Sequence, residues 1–297
     1  MRFSKYHGTG NDFVMIQDLE GRLTLDSTLV SGLCDRHMGI GADGVIRIAP
    51  SDTADFFMDY WNADGQVAEM CGNGIRCLAK YAYDRGLTHR SDLDVDTRDG
   101  VKHVQLEVAD GMAVSVRVDM GAPAFERKLI PMTGQPNETF EQQPFSEGGL
   151  DFRATALSMG NPHLVLIGDQ HPGAIDVHGI GPRLETHPEF PERTNVEFVR
   201  VRDGGVDVRV WERGVGETMA CGTGACASLV ASAQAGLMDR QGDVRFPGGT
   251  LRVEWVEDGP VFLEGPATFV FEGELTSGWI AAVGLDDPWA VLGGAGT

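Results

Sequence analysis

Residues 211–236 read WERGVGETMACGTGACASLVASAQAG, a glycine-rich turn that runs into a helix beginning at Cys221. The helix Ala225-Cys226-Ala227-Ser228-Leu229-Val230-Ala231-Ser232-Ala233 has almost no polar face, so it is predicted to be buried on all sides. Gly236 is placed to end it. A helix N-terminus exposes unpaired N–H groups and about half a positive charge. Glycines there let backbone amides approach a ligand closely, which makes Cys-Gly-x-Gly a candidate anion cradle. The same position lowers the pKa of a thiol below its free value of about 8.5. Taken alone, one such turn is more often a structural feature.

It is not alone. Cys71-Gly72-Asn73-Gly74 lies 150 residues before Cys221-Gly222-Thr223-Gly224. Trp61 and Trp211 stand ten residues before those cysteines, and Gly10-Asn11 and Gly160-Asn161 each precede an apolar run at the same offset. Three features at one spacing indicate a duplicated unit, far too long for a solenoid. The first copy reads alike: a strand over 54–61, a turn over 62–65, then a helix with apolar positions Ile75, Leu78, Ala79, Ala82 and Tyr83. Residues 101–108 and 112–119 form a predicted hairpin around Asp110-Gly111, and 206–211, 250–255, 261–264 and 268–272 read as strands. The polar stretch 131–149 reads as a loop. The predicted fold class is α+β: two pseudo-symmetric domains, each a mostly antiparallel β-sheet or barrel wrapped around a central helix. The expected division is 1–121 plus 267–297, carrying Cys71, and 122–266, carrying Cys221.

The 297 residues carry a formal net charge of −20, which disfavours nucleic acid as a partner. There is no run of eighteen apolar residues and no apolar signal-peptide core at the N-terminus, so no membrane span is expected and the cytoplasm is the default location. Five cysteines, with neither a CxxC pair nor adjacent histidines, argue against a disulfide framework or a structural zinc site. Cys77 and Cys226 lie inside the helices and read as small buried hydrophobes.

Two cysteines at matched helix starts suit one reaction. If both N-termini address one carboxylate, a thiolate can remove an α-proton from one face while a thiol delivers a proton to the other. Helix dipoles and amides supply positive potential for the carbanion-like transition state, and no metal or organic cofactor is required. A pyridoxal phosphate racemase would need a Schiff-base lysine, and none of Lys5, Lys80, Lys102 and Lys128 lies in a turn linked to a phosphate site. A redox or metal-binding protein using the same cysteines is the alternative from another class.

The segments KYHGTGNDFV (5–14), GIGADG (39–44), NADG (62–65), CGNGIRC (71–77), SMGNPH (158–163), ERTNVEF (192–198) and ERGVGETMACGTGACA (212–227) make the chain resemble the diaminopimelate epimerase family from end to end. The resemblance implies interconversion of LL- and meso-diaminopimelate, a small-molecule substrate, in lysine and peptidoglycan precursor synthesis. It implies that Cys71 and Cys221 are catalytic, with His163 and Glu212 assisting. It implies substrate contacts from Gly72, Asn73, Gly222 and Thr223 at the helix starts, and from Asn11, Asn62, Asn161, Asn195, Glu212 and Arg213 elsewhere. It also implies a homodimer. Two departures stand out: some members carry a side-chain amide where this sequence has Gly44, and a tyrosine where it has Phe271.

Overall fold

The computed structural model describes residues 1–282; residues 283–297, the end of the stretch expected to complete the first domain, lie outside the described residues. The chain divides into two compact units, Met1–Val116 together with the chain from Pro266 on, and Arg117–Gly265. The first unit holds β1 (Arg2–Gly8), β2 (Asn11–Gln17), α1 (Ser27–Cys34), β3 (Gly44–Ala49), β4 (Phe56–Asn62), α2 (Gly72–Asp84), β5 (Asp92–Thr97) and β6 (Gly100–Ala109). Strand β7 (Met112–Asp119) carries the chain out of it. The second unit holds β8 (Phe140–Glu147), β9 (Leu150–Ser158), β10 (Pro162–Ile167), α3 (Val177–Glu185), β11 (Asn195–Arg202), β12 (Gly205–Glu212), β13 (Gly216–Thr218), α4 (Gly222–Gln234), β14 (Gln241–Phe246), β15 (Gly249–Trp255) and β16 (Val261–Gly265). Strand β17 (Thr268–Glu274) and α5 (Ser277–Ala282) belong to the first unit again.

The two units pair their strands in the same succession. In the first, β1–β2 is antiparallel, β2–β3 parallel, β3–β4 antiparallel, β4–β5 parallel and β5–β6 antiparallel. In the second, β9–β10, β10–β11, β11–β12, β12–β14 and β14–β15 repeat that alternation. The two-domain, pseudo-symmetric α+β architecture is therefore as the sequence indicates, with parallel pairs interleaved among the antiparallel ones. A parallel pair needs a crossover connection, usually helical. Helices α1 and α3 supply it for the first parallel pair of each unit, and α2 and α4 for the second. Aspartates cap α1 and α3: Asp26 accepts the Leu29 N–H at 2.8 Å, and Asp176 accepts the Gly179 N–H at 3.0 Å.

Helix α4 is the centre of its unit, packed against β10, β11, β12, β14 and β15. Every residue from Ala225 to Ser232 is buried, as the missing polar face requires. Leu229 and Val230 each stabilise the unit by roughly 1.5–3 kcal/mol through burial. Helix α2 packs likewise against β1, β2, β3, β4 and β6. One expectation fails. Residues 131–149 are not a continuous loop, because 140–147 form β8, paired antiparallel with β9 through Phe145↔Phe152 and Ser146↔Asp151. Phe140 and Phe145 pack on the core, Gln143 and Ser146 are exposed, and Gln142 turns inward to Thr155 Oγ1 at 3.2 Å. No described helix is long and apolar enough to cross a membrane.

Cys34 lies in the core cluster of Leu29, Val30 and Leu33, and burial pushes its thiol up to about 12. Cys34→Ala is expected to cost about 1 kcal/mol of stability through the lost buried volume. Its kcat should stay at the parent value, which urea unfolding and a steady-state assay would check together.

Candidate active site

Helices α2 and α4 begin with the same unusual cap. Cys71 has extended backbone (φ −142°, ψ 116°), and its Sγ accepts the Gly74 N–H at 3.4 Å. Cys221 does the same (φ −123°, ψ 125°), its Sγ accepting the Gly224 N–H at 3.4 Å. Serine, threonine, aspartate and asparagine are the usual residues at this position. A neutral thiol is a weak acceptor, but a thiolate there meets both the orphan amides and the positive end of the helix. The cap thus ties the ionisation of each sulfur to its helix.

Around Cys71, the thiol donates to Asn11 Oδ1 at 3.6 Å, and Asn73 Nδ2 donates to the same oxygen at 3.2 Å. Asn11 Nδ2 in turn donates to Asp43 Oδ2 at 2.8 Å, which fixes the orientation of its amide. Asp43 and Asp12 are bound by Arg36, and Asp12 also by Lys5 at 2.7 Å. Burial alone would raise the Asp12 pKa, but these two cations outweigh it and hold the carboxyl at about 2. Gly72 and Asn73 are buried at the helix start. Asn62 ends β4 opposite Gly44, and its backbone closes the following turn through Gln66 and Gly65. A Cβ at Gly44 would lie 2.5 Å from the Trp61 carbonyl and 2.7 Å from the Tyr60 ring. The Trp61 carbonyl and the Tyr60 ring therefore leave no room for a side chain at Gly44.

Around Cys221 the surroundings are titratable. Its Sγ lies 3.5 Å from Thr223 Oγ1, which accepts from Asn161 Nδ2 at 3.3 Å. Asn161 Oδ1 is 2.9 Å from His163 Nε2, and His163 Nδ1 is 2.7 Å from Glu197 Oε1. His163 and Glu197 are fully buried. Glu212 accepts from the Thr218 hydroxyl and interacts electrostatically with Cys221. Asn195 Nδ2 donates to the Pro162 carbonyl at 2.9 Å, and its Oδ1 accepts the Arg213 N–H at 2.9 Å. Arg213 joins this group through its backbone; its guanidinium bonds the Glu192 carbonyl at 3.3 Å.

The electrostatics follow from this. Burial pushes the Glu197 and Glu212 carboxyls up, against the pull of His163 on the first and of Thr218 and Cys221 on the second. Burial pushes the Cys221 thiol well above its ordinary value, and the Glu212 carboxylate adds to the shift. The Thr223 hydroxyl and Gly224 amide oppose it. The balance of these influences favours the thiol form of Cys221. Cys77, one turn into α2, is pushed up to about 12 by burial, as Cys34 is.

The two units place equivalent residues alike but differ in chemistry. Phe13 pairs with Gly44 in the first unit where His163 pairs with Asn195 in the second. A Cβ on Gly74 would meet Ile46 Cδ1 at 2.7 Å, and one on Gly224 would meet Glu197 Oε1 at 2.8 Å. Ile46 and Glu197 thus hold the same position under the two helix starts. Reading from the sequence passed over Glu197 and Asp43. Glu197 had a signal: it is the one charged residue in the apolar run Asn195-Val196-Glu197-Phe198-Val199, two residues from Asn195 and so on the same face of β11. Among the described residues, no group of three or more His, Cys, Asp or Glu side chains could hold a metal ion.

Two units of one topology, each with a cysteine at the start of its central helix, define the two-domain epimerase and racemase fold. A solved structure of a probable proline racemase from Agrobacterium radiobacter shares it, with a TM-score of 0.65 at 15% identity over 93% of each chain. The chain belongs to the diaminopimelate epimerase family, whose profile matches residues 3–126 and 155–270. It is 46% identical to the diaminopimelate epimerase of Acetivibrio thermocellus over 277 residues, covering 93% of this chain and 98% of that protein. It is 48% identical to that of Desulforudis audaxviator over 288 residues, covering 95% and 100%.

Proposed function

We propose that this protein interconverts LL- and meso-diaminopimelate, with Cys71 and Cys221 as acid and base on opposite faces of the α-carbon. The observation that carries this reading is the pair of matched caps, in which each sulfur accepts an amide N–H at the start of a buried central helix. One sulfur, as thiolate, takes the α-proton; the other, as thiol, delivers a proton to the opposite face, and the roles exchange in reverse. No net proton is gained or lost. The amides at Gly72, Asn73, Gly222 and Thr223 hold the reacting carboxylate and stabilise the charge that spreads onto it in the transition state. Asn11, Asn62, Asn161, Asn195 and Glu212 serve the amino groups and carboxylate oxygens, which their donor and acceptor atoms fit. Arg213 serves the distant carboxylate, which a guanidinium grips with two parallel bonds. His163 and Glu212 assist at the Cys221 side. No cofactor takes part.

The same reading places the protein in the cytoplasm, in lysine and peptidoglycan precursor synthesis, as a homodimer. Phe271, on the exposed strand β17, lies on the face assigned to the second copy. The purified protein, given LL-diaminopimelate, L-proline and trans-4-hydroxy-L-proline in turn, is expected to epimerise the first and leave the other two unchanged by chiral chromatography. Turnover of proline with none of diaminopimelate would overturn the assignment.

A further inference from the structure

We infer that Glu197 is a positioning residue for the Cys221 half of the site, acting through His163 to aim the Thr223 hydroxyl at the sulfur. The inference rests on the epimerase reading above and extends it to a residue outside the substrate contacts.

The geometry is a chain of four hydrogen bonds within one unit. Glu197 Oε1 faces His163 Nδ1 at 2.7 Å, and His163 Nε2 faces Asn161 Oδ1 at 2.9 Å. Asn161 Nδ2 donates to Thr223 Oγ1 at 3.3 Å, and Thr223 Oγ1 lies 3.5 Å from Cys221 Sγ. Each link sets the next. An amide presents its oxygen on one side and its nitrogen on the other. With Asn161 Nδ2 on Thr223, its oxygen faces the imidazole, so His163 Nε2 carries a proton. The Thr223 oxygen, already accepting, has its own hydrogen left for the sulfur. A hydroxyl donated to sulfur favours the thiolate, the form Cys221 must take when it is the base.

The far end of the chain is Glu197. An unanchored imidazole chooses between its two tautomers and can place a lone pair at Nε2, turning the Asn161 amide around. The carboxyl at Nδ1 removes that choice. With Nε2–H fixed, one proton is shared between Glu197 and Nδ1, whichever of the two holds it. The other titratable groups facing this pair are Glu212 on β12 and Cys221 on α4.

Two observations argue against a purely structural role. Glu197 Oε2 is buried with no hydrogen-bond partner, a poor arrangement for stability. Moreover, the first unit builds the same packing with Ile46 in that position and Phe13 in that of His163. The fold therefore accepts apolar residues at both places, and the carboxyl–imidazole pair is retained only beside Cys221.

The test is Glu197→Gln, which keeps the size of the side chain but cannot share a proton. Its kcat is expected to fall roughly a hundredfold, with KM within about threefold of the parent. The limb of the pH–rate profile that reports Cys221 should move to higher pH. In the unaltered protein, 15N spectra of the ring of His163 should show the proton on Nε2, as its bond to Asn161 Oδ1 requires. Unchanged kcat and pH profile in Glu197→Gln would overturn the inference. So would a ring of His163 that carries its proton on Nδ1 and none on Nε2 in the unaltered protein, a result that needs no variant to fold. Absence of epimerase activity in the unaltered protein would instead strike at the functional reading, which the ring spectra do not depend on.

Discussion

Replacing Cys71 or Cys221 by alanine is expected to reduce interconversion of LL- and meso-diaminopimelate by at least about a thousandfold in both directions. A positioned acid or base contributes about 10²–10⁴ in rate, and each direction needs both groups. Alanine also removes the cap from α2 or α4, which costs about 1 kcal/mol. That is a small part of the roughly 5–15 kcal/mol of a typical domain, so the variants should fold. Serine separates the two roles. It is a preferred N-cap residue, so Cys71→Ser and Cys221→Ser should recover the stability lost in the alanine variants. They should not recover the rate, because a hydroxyl ionises far less readily than a thiol. Urea unfolding and initial rates on the four variants check this. Serine variants with parental rates would reduce the cysteines to helix caps.

The second large effect is expected at Gly224. A methyl group there would lie 2.8 Å from Glu197 Oε1, 3.2 Å from Cys221 Cβ and 3.4 Å from its Sγ. The carboxyl cannot retreat freely, because His163 Nδ1 holds it at 2.7 Å. Gly224→Ala should therefore cost about 1–3 kcal/mol of stability by overpacking and reduce kcat/KM by roughly a hundredfold or more as the sulfur and carboxyl are displaced. Gly74→Ala is the control. Its closest contact is Ile46 Cδ1 at 2.7 Å, the far end of a side chain that can change rotamer. Replacing a helical glycine by alanine gains up to about 1 kcal/mol, which offsets much of the crowding. Thermal unfolding and kinetics should show Gly224→Ala clearly the worse of the two, and equal effects would contradict the packing described.

Those contrasts mark where sequence reasoning succeeds and where it stops. The helix starts were legible because Cys-Gly-x-Gly recurs at an offset of 150, and α2 and α4 begin at Gly72 and Gly222 as that predicts. The burial of α4 was legible because Ala225–Ala233 has no polar stripe. Strand β8 was not, since its polar residues read as loop; only pairing with β9, a tertiary fact that includes a register shift between Phe140 and Gln143, makes 140–147 a strand. Asn11, Asn73, Asn161 and Thr223 could be named from the family's motifs, but not their order around each sulfur. Glu197 and Asp43 were missed because each touches another polar side chain rather than lying in a recognisable turn. Their roles depend on which strands lie side by side, and parallel crossovers such as β2–β3 and β10–β11 are not written in local periodicity.

The two-sulfur mechanism is tested most directly by running LL-diaminopimelate in D2O and following the α-position of substrate and product during the first few per cent of turnover. The thiol that delivers the proton has equilibrated with solvent, so the meso product should carry deuterium at the inverted centre while the remaining LL substrate keeps its hydrogen. Product that retains hydrogen at that centre, or LL substrate that gains deuterium as fast as product forms, would mean that one group serves both faces and would contradict the assignment of Cys71 and Cys221 as an opposed pair.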